Sequence, residues 1–297
     1  MINDVIVLTV VSAFGSAAIR GAISVLDRKQ FGLLKSNIRI VNMLNNLLAV
    51  FVLMIILTHF VRLNDIIPMV LDYRIIFFAI LLQVSAYSFS FAYKRMEVHQ
   101  VIVIGKSADL FIPFSVYLFT YSWNSINTIF SVATFLVCLP VLFKDYNNKH
   151  FSFGAAFFVI IFLVLQGGLS KNLVFISPSS NMADWLIYLL SILIWRFFIS
   201  LFAFLSTKKM KILLADFFNS KNQVFLTIVR SFLTIFAQGL LIIAVGSGME
   251  VVAWPILNST GIIAVIFSTY YIKEKPDVSH ITAIVMITIL SLIRLFI

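Results

Sequence analysis

Val98–Thr120 reads VHQVIVIGKSADLFIPFSVYLFT, a run apolar enough to cross a bilayer that nevertheless carries Lys106, Asp109 and Pro113 near its centre. At about 1.5 Å rise per residue, Lys106 lies roughly 12 Å from Val98, close to the midplane of a hydrocarbon core about 30 Å thick. Charges at that depth are costly and usually functional. The rest of the chain has to be compatible with such a helix.

Composition agrees. Of 297 residues, 61% are hydrophobic and only 11% charged, and mean hydropathy is +1.06. A soluble domain of this length has no use for so much apolar surface, which leaves a polytopic helical membrane protein. The formal charge of +10 would suit nucleic acid, but the basic residues sit in short connections between apolar runs. That is the pattern of membrane insertion, so lipid rather than nucleic acid is the expected surrounding. The one cysteine, Cys138, lies inside an apolar run and excludes an internal disulfide or a cysteine-based metal site. Met1–Val25 has no basic leader and is long enough to span, so it is expected to stay as a first helix.

Runs of about 20 apolar residues between short polar connections predict ten spans. They are Asp4–Leu26, Ile38–Val61, Ile75–Tyr93, Val98–Thr120, Ile126–Phe143, Phe153–Phe175, Trp185–Leu205, Val224–Val245, Val251–Ile272 and Ile281–Ile297. The longest connection, Ser206–Gln223, is too short for a soluble domain.

A weak internal repeat underlies these spans. At an offset of 152 to 153 positions, Met96-Glu97-Val98 falls on Met249-Glu250-Val251, and Gly105-Lys106-Ser107-Ala108 on Asn258-Ser259-Thr260-Gly261. Gly15-Ser16 falls on Gly167-Gly168. The chain then divides into residues 1–148 and 149–297, two five-helix repeats within one transmembrane domain. Because five is odd, the repeats must cross the membrane in opposite senses. Loop charges follow that prediction. Connections after the odd-numbered spans hold Arg28, Lys29, Lys35, Arg39, Lys94, Arg95, Lys144, Lys149, Lys208, Lys209, Lys211, Lys221, Lys273 and Lys275, against Arg62, Arg74, Lys171 and Arg294 on the other face. The positive-inside rule then puts both termini outside the cytoplasm.

Several polar residues within the spans are candidates for a substrate site. Lys106 and Asp109, three apart, share a helix face and partly neutralise each other. They either lock this helix to a neighbour through Arg230 or Arg196, or line a cavity. Pro113 removes a backbone hydrogen bond and predicts a kink. Asn258 and Ser259 lie at the matching depth in the second repeat, with Pro255 and Trp254 beside them. Arg230 is placed to hold a carboxylate or phosphate bidentately if it points inward; Arg196 serves as a structural counter-charge, and Arg20 snorkels or faces in. Gln166, with Gly167 and Gly168, makes either a packing notch or a cavity wall. Gln83 and Gln238 are orienting donors or hydrogen-bond glue. Glu97 and Glu250 sit at helix starts, where the helix dipole alone accounts for them.

Ten spans in two inverted five-helix repeats resemble the drug/metabolite transporter superfamily, in its ten-helix EamA-type branch. Phe14-Gly15-Ser16 followed by Ala18-Ile19-Arg20 is similar to the family's aromatic-glycine first helix, and Tyr271-Ile272-Lys273-Glu274-Lys275 to the Gly-Glu-Arg/Lys signature ending the ninth. Lys273 stands where the signature has glycine, Thr120-Tyr121-Ser122 where the first repeat would carry its acidic signature, and the loop charges reverse the expected orientation. The resemblance implies a central cavity lined mainly by helices 1, 3, 4, 6, 8 and 9, and alternating access.

The expected function is secondary transport of a small polar or zwitterionic metabolite, amino acid-like or choline-like, across the cytoplasmic (inner or plasma) membrane. The alternative is a flippase for a lipid-linked sugar or phosphate. Enzymatic function is not expected: there is no paired-carboxylate motif, no metal-spaced histidine set and no serine-histidine-aspartate constellation at one depth. No cofactor is expected. A nucleotide-binding glycine motif is also missing, so a proton or ion gradient, or the solute's own, would supply the energy.

Overall fold

The computed structural model describes residues 2–57, 63–121, 123–146, 151–173, 182–208, 210–246, 250–257 and 259–293. Among these there is helix and no strand. Helix α1 (Ile2–Asp27) continues into a π-helical turn, Arg28–Leu33, and is followed by α2 (Ile38–Leu57), the short α3 (Leu63–Val70) and α4 (Tyr73–Arg95). Then come α5 (Val98–Ser107), a 3-10 turn at Ala108–Leu110, α6 (Ile112–Thr120) and α7 (Ser125–Tyr146). The second half holds α8 (Phe153–Leu173), α9 (Met182–Leu205), the short α10 (Met210–Asn219) and α11 (Lys221–Gly246). It ends with α12 (Glu250–Leu257), α13 (Thr260–Phe267) with its π-helical turn Ser268–Ile272, and α14 (Val278–Ile293).

Among the described residues, six helices are long and apolar enough to cross a membrane, and seven if the bent pair α5–α6 counts as one span. Residues 153–169, 260–272 and 278–293 form shorter apolar helices. The protein is therefore a multi-pass α-helical membrane protein. Two helices that hydropathy does not mark, α3 and α10, lie in connections.

Pro113 has the predicted effect, displaced slightly along the chain. It occupies the first turn of α6, where a missing N–H is harmless. The helix breaks just before it at Phe111, with a 43° bend between Val98–Leu110 and Ile112–Thr120. The hydroxyls near this break and at the start of α13 turn back onto carbonyls of the preceding helical turn. Ser107 Oγ donates to Ile104 O at 2.7 Å, and Ser259 Oγ to Ile256 O at 2.7 Å. In hydrocarbon such internal satisfaction is what makes a broken helix tolerable.

Several helix contacts come in pairs: α1–α11 with α4–α8, α1–α13 with α6–α8, α2–α11 with α4–α9, and α1–α12 with α5–α8. Helices α2 and α9 pack directly together, as do α7 and α14. Small residues permit the closest approaches. Ala13, Ser16 and Ala17 of α1 are fully buried, and Ser16 Oγ donates to Ala237 O of α11 at 2.9 Å. A Cβ on Gly21 would come within 3.0 Å of the Ala264 backbone nitrogen in α13.

Contacts also gather the connections after the odd-numbered spans on one face. Arg28, after α1, donates to Glu274 Oε1 (2.8 Å) and to Tyr93 O (2.9 Å), while the Val98 N–H donates to the other Glu274 oxygen at 3.0 Å. Arg39 donates to Thr207 Oγ1 at 2.9 Å, joining the start of α2 to the end of α9. Lys144 pairs with Asp277 at 2.7 Å. This is the basic face. Burial holds the Glu274 carboxyl above its ordinary range despite the opposing pull of Arg28 and the Val98 N–H. The exposed Asp277 is held below its ordinary range by the Lys144 hydrogen bond.

Lys273 has an unusual backbone conformation. It caps the turn after α13 in the left-handed region, at φ 58°, the conformation that glycine adopts without a Cβ penalty. Lys273→Gly is expected to raise stability by about 0.5–1 kcal/mol, the relief of the left-handed strain exceeding glycine's added chain entropy. Reversible unfolding in mixed micelles would measure it; a loss of stability would mean the lysine side chain contributes more than its backbone costs.

Candidate functional site

The described polar residues that converge deepest lie between α1, α2, α4, α9 and α11. Arg20 is on α1, Asn45 and Asn46 on α2, Gln83 on α4, Arg196 on α9, and Arg230 with Ser231 on α11. Each is roughly 7–12 residues from its helix's end at the basic face, or about 10–18 Å at the helical rise. Five separate helices thus deliver polar groups to one level near the middle of the membrane.

Hydrogen bonds join them. The Asn46 amide donates to Gln83 Oε1 (3.0 Å), to Ser200 Oγ (3.2 Å) and to the Arg196 carbonyl (3.2 Å). Arg196 Nε donates to the same Gln83 oxygen at 3.1 Å. Ser231 Oγ donates to Asn45 Oδ1 at 3.3 Å, and the Gln30 amide to Thr227 Oγ1 at 2.6 Å. Arg230 forms a two-point ion pair with Asp27 through Nε and Nη2, and its guanidinium carbon lies 5.9 Å from the Phe31 ring centroid. Both members of the pair are buried.

The charges do not balance. Arg196 is buried, the partner of its guanidinium among the described residues is the neutral Gln83, and it feels the positive charges of Arg230 and Arg20. The buried Nε of Arg20 has no hydrogen-bond partner among the described residues. Among the described residues of the cluster, three guanidinium groups thus stand against one carboxylate, Asp27, which is already paired with Arg230. The Gln83 amide nitrogen is also buried without a partner there. Donors left unpaired in a low-dielectric interior are costly, and an anion would satisfy them together.

The residues expected from the sequence to bind substrate fall in several places. Arg230 is in this cluster, paired with Asp27. Lys106 and Asp109 lie at the α5–α6 break, on a segment packed against α7. Gln166 on α8 and Gln238 on α11 are half-buried, and Gly167 beside Gln166 packs against Ile112 of α6. The Ser259 hydroxyl is taken by Ile256 O. Asn258 and the side chain of Trp254 lie outside the described residues. Asp27, Asn45 and Asn46 were not among the candidates. The visible signal was Asn42, Asn45 and Asn46 at helical spacing in an otherwise apolar run, which puts three amides on one face.

Glu97, His99 and Glu274 could bring ligand atoms to one metal ion, all within 4.8 Å of one another. Protein partners already account for them: both Glu274 oxygens accept hydrogen bonds from Arg28 and Val98, and Glu97 pairs with His99 at 3.4 Å.

These features define a multi-pass helical membrane protein with a buried, net-positive polar cluster at mid-depth. Set against known protein families and curated proteins, the chain matches no family model and no curated sequence.

Proposed function

We propose that the protein is a secondary transporter, similar in architecture to ten-helix members of the drug/metabolite transporter superfamily, that moves a small polar solute bearing a carboxylate or phosphate by alternating access. The observation that carries this reading is the central cluster, in which the described residues set three arginines from three helices against one carboxylate, with Arg196 bonded to the Gln83 amide. Channels of water or lipid need no such cluster, and packing alone is served better by apolar residues.

Ten spans in two inverted repeats are part of the same proposal. The exchange of α1 with α8, α2 with α9, α4 with α11, α5–α6 with α12–α13 and α7 with α14 supports it. It converts each paired helix contact into its partner and sets the α5–α6 break against the α12–α13 break. Broken helices at corresponding positions of two repeats are a feature of transporter binding sites. The net positive charge favours an amino acid-like or phosphorylated solute over a choline-like one.

A second reading, flipping of a lipid-linked phosphate, draws support from an apolar groove of about 470 Å³ on α9. Trp195, Phe198 and Phe202 line it, next in sequence to Arg196.

A ligand-stabilisation screen against amino acids, quaternary amines, nucleotides and sugar phosphates would test both. Carboxylates or phosphates should raise the unfolding temperature, and Arg196→Gln should weaken that ligand by roughly 10- to 100-fold while the apo protein stays folded. Stabilisation by quaternary amines alone would overturn the anion assignment. Lipid-linked phosphates competing better than their soluble head groups would favour the flippase.

A further inference from the structure

On the basic face, away from the central cluster, a cleft of about 450 Å³ opens between the start of α2, the end of α4 and α10. Lys35, Arg39 and Lys94 line it, with Asp216 the only carboxylate among its lining residues. None of the three cations has an ion-pair partner among the described residues; Arg39 donates to the neutral Thr207 hydroxyl, itself a lining group. Ser36 also lines the cleft and is 2% exposed, and its buried hydroxyl has no hydrogen-bond partner among the described residues.

The backbone aims these groups. Ser36 N donates to Gln30 O at 2.9 Å and Leu34 N to Lys29 O at 2.9 Å, so the chain turns sharply out of the π-helical segment. Lys35 takes up that turn in the left-handed region, at φ 52°. Asn37 Oδ1 then accepts from Arg39 N at 3.0 Å, starting α2 with its positive dipole end at the cleft. Cations around one cleft, an unsatisfied hydroxyl beside them and room for a small group are the elements of a phosphate site.

We propose that this cleft binds a phosphate group, carried either by a soluble phosphate compound or by an anionic phospholipid head group. It stands on the cleft's own groups and is independent of what the central cluster transports.

The test uses the full chain in nanodiscs of neutral phosphatidylcholine, titrated with inorganic phosphate by calorimetry. A second arm incorporates phosphatidylglycerol into the nanodiscs and measures by native mass spectrometry how much of it stays on the protein. Lys35→Gln/Lys94→Gln should weaken the bound species by at least about tenfold. The doubly conservative Lys35→Arg/Lys94→Arg should retain it, which separates loss of charge from failure to fold. Lys275→Gln, on the same face but outside the cleft, should leave binding as it was.

Phosphate binding lost in the glutamine double variant supports the site and assigns a soluble ligand. Phosphatidylglycerol retention lost in that variant, without binding of free phosphate, supports it and assigns a lipid head group. Absence of both, or binding that survives the double variant, overturns the proposal. Either overturning result would leave the central-cluster reading standing, because that reading is tested by Arg196 and a transport ligand.

Discussion

Asp27→Ala is expected to destabilise the protein by roughly 3–5 kcal/mol, the cost of leaving a buried charge without its partner. Asp27 and Arg230 side chains are 8% and 6% exposed, and the pair holds α1 against α11. With Asp27 gone, the Arg230 guanidinium would face Arg20 and Arg196 with no carboxylate in the cluster. Arg230→Ala should cost a similar amount, since it strands the carboxylate. Replacing both, as Asp27→Leu/Arg230→Met, should be far less harmful, because a buried pair adds little over apolar packing of similar volume. The double variant should nevertheless change ligand recognition, having removed one of the three guanidinium groups. Equilibrium unfolding in mixed micelles gives the first three values and the ligand screen the fourth. A loss below about 1 kcal/mol for Asp27→Ala would show that Arg230 reaches the interface instead, as arginine side chains can.

Gly168→Ala is expected to cost about 1–3 kcal/mol by overpacking the α6–α8 contact. A Cβ at this position would overlap Ser115 Oγ and come within 2.8 Å of Ser115 Cβ and 3.0 Å of a Phe119 ring carbon. The hydroxyl can rotate away, though only by giving up its 3.0 Å hydrogen bond to Val164 O. Ser115 Cβ cannot, so α6 itself must shift. Ser115→Ala should rescue only part of the loss and Ser115→Gly more of it, apart from glycine's own helix penalty of about 1 kcal/mol. A double-mutant cycle measures this coupling. Additive effects would mean that the helices separate freely here. Gly167→Ala should be milder, since its nearest neighbours are side-chain carbons of Ile112 at 3.1 Å and beyond.

The helices were legible in the chain to a degree set by solvent. A hydrocarbon core forces every backbone group to bond within its own segment, so an apolar run of sufficient length has little choice but helix. The Val98–Thr120 run begins and ends where α5 and α6 do, and Phe153 and Leu205 are likewise shared ends. Helices α3 and α10 were missed for the converse reason. In the connections, water competes for the backbone, and packing against α9 or α11 decides.

The candidate site was legible only in part. Arg230 could be suspected because a cation in an apolar run has to be neutralised. Its partner, 203 positions away in the chain, could not be read, because both Lys106–Asp109 and Asp27 satisfy the same local requirement. Spacing does relate residues on one helix, and so Asn42, Asn45 and Asn46 announce a polar face. It does not say that Gln83 of α4 and Arg196 of α9 complete that face.

Val98–Thr120 illustrates the division. Its apolar length, its central charges and the proline that interrupts it are local properties, and they determined a membrane helix with a break. Which neighbours face those charges is a matter of helix packing, and there the chain packs the segment carrying Lys106 and Asp109 against α7 while α1, α9 and α11 contribute three arginines to the central cluster. The hydrophobic effect and backbone satisfaction act along a segment and can be read from it. The pairing of buried charges depends on a few ångströms between helices distant in the chain, and only the tertiary structure sets it.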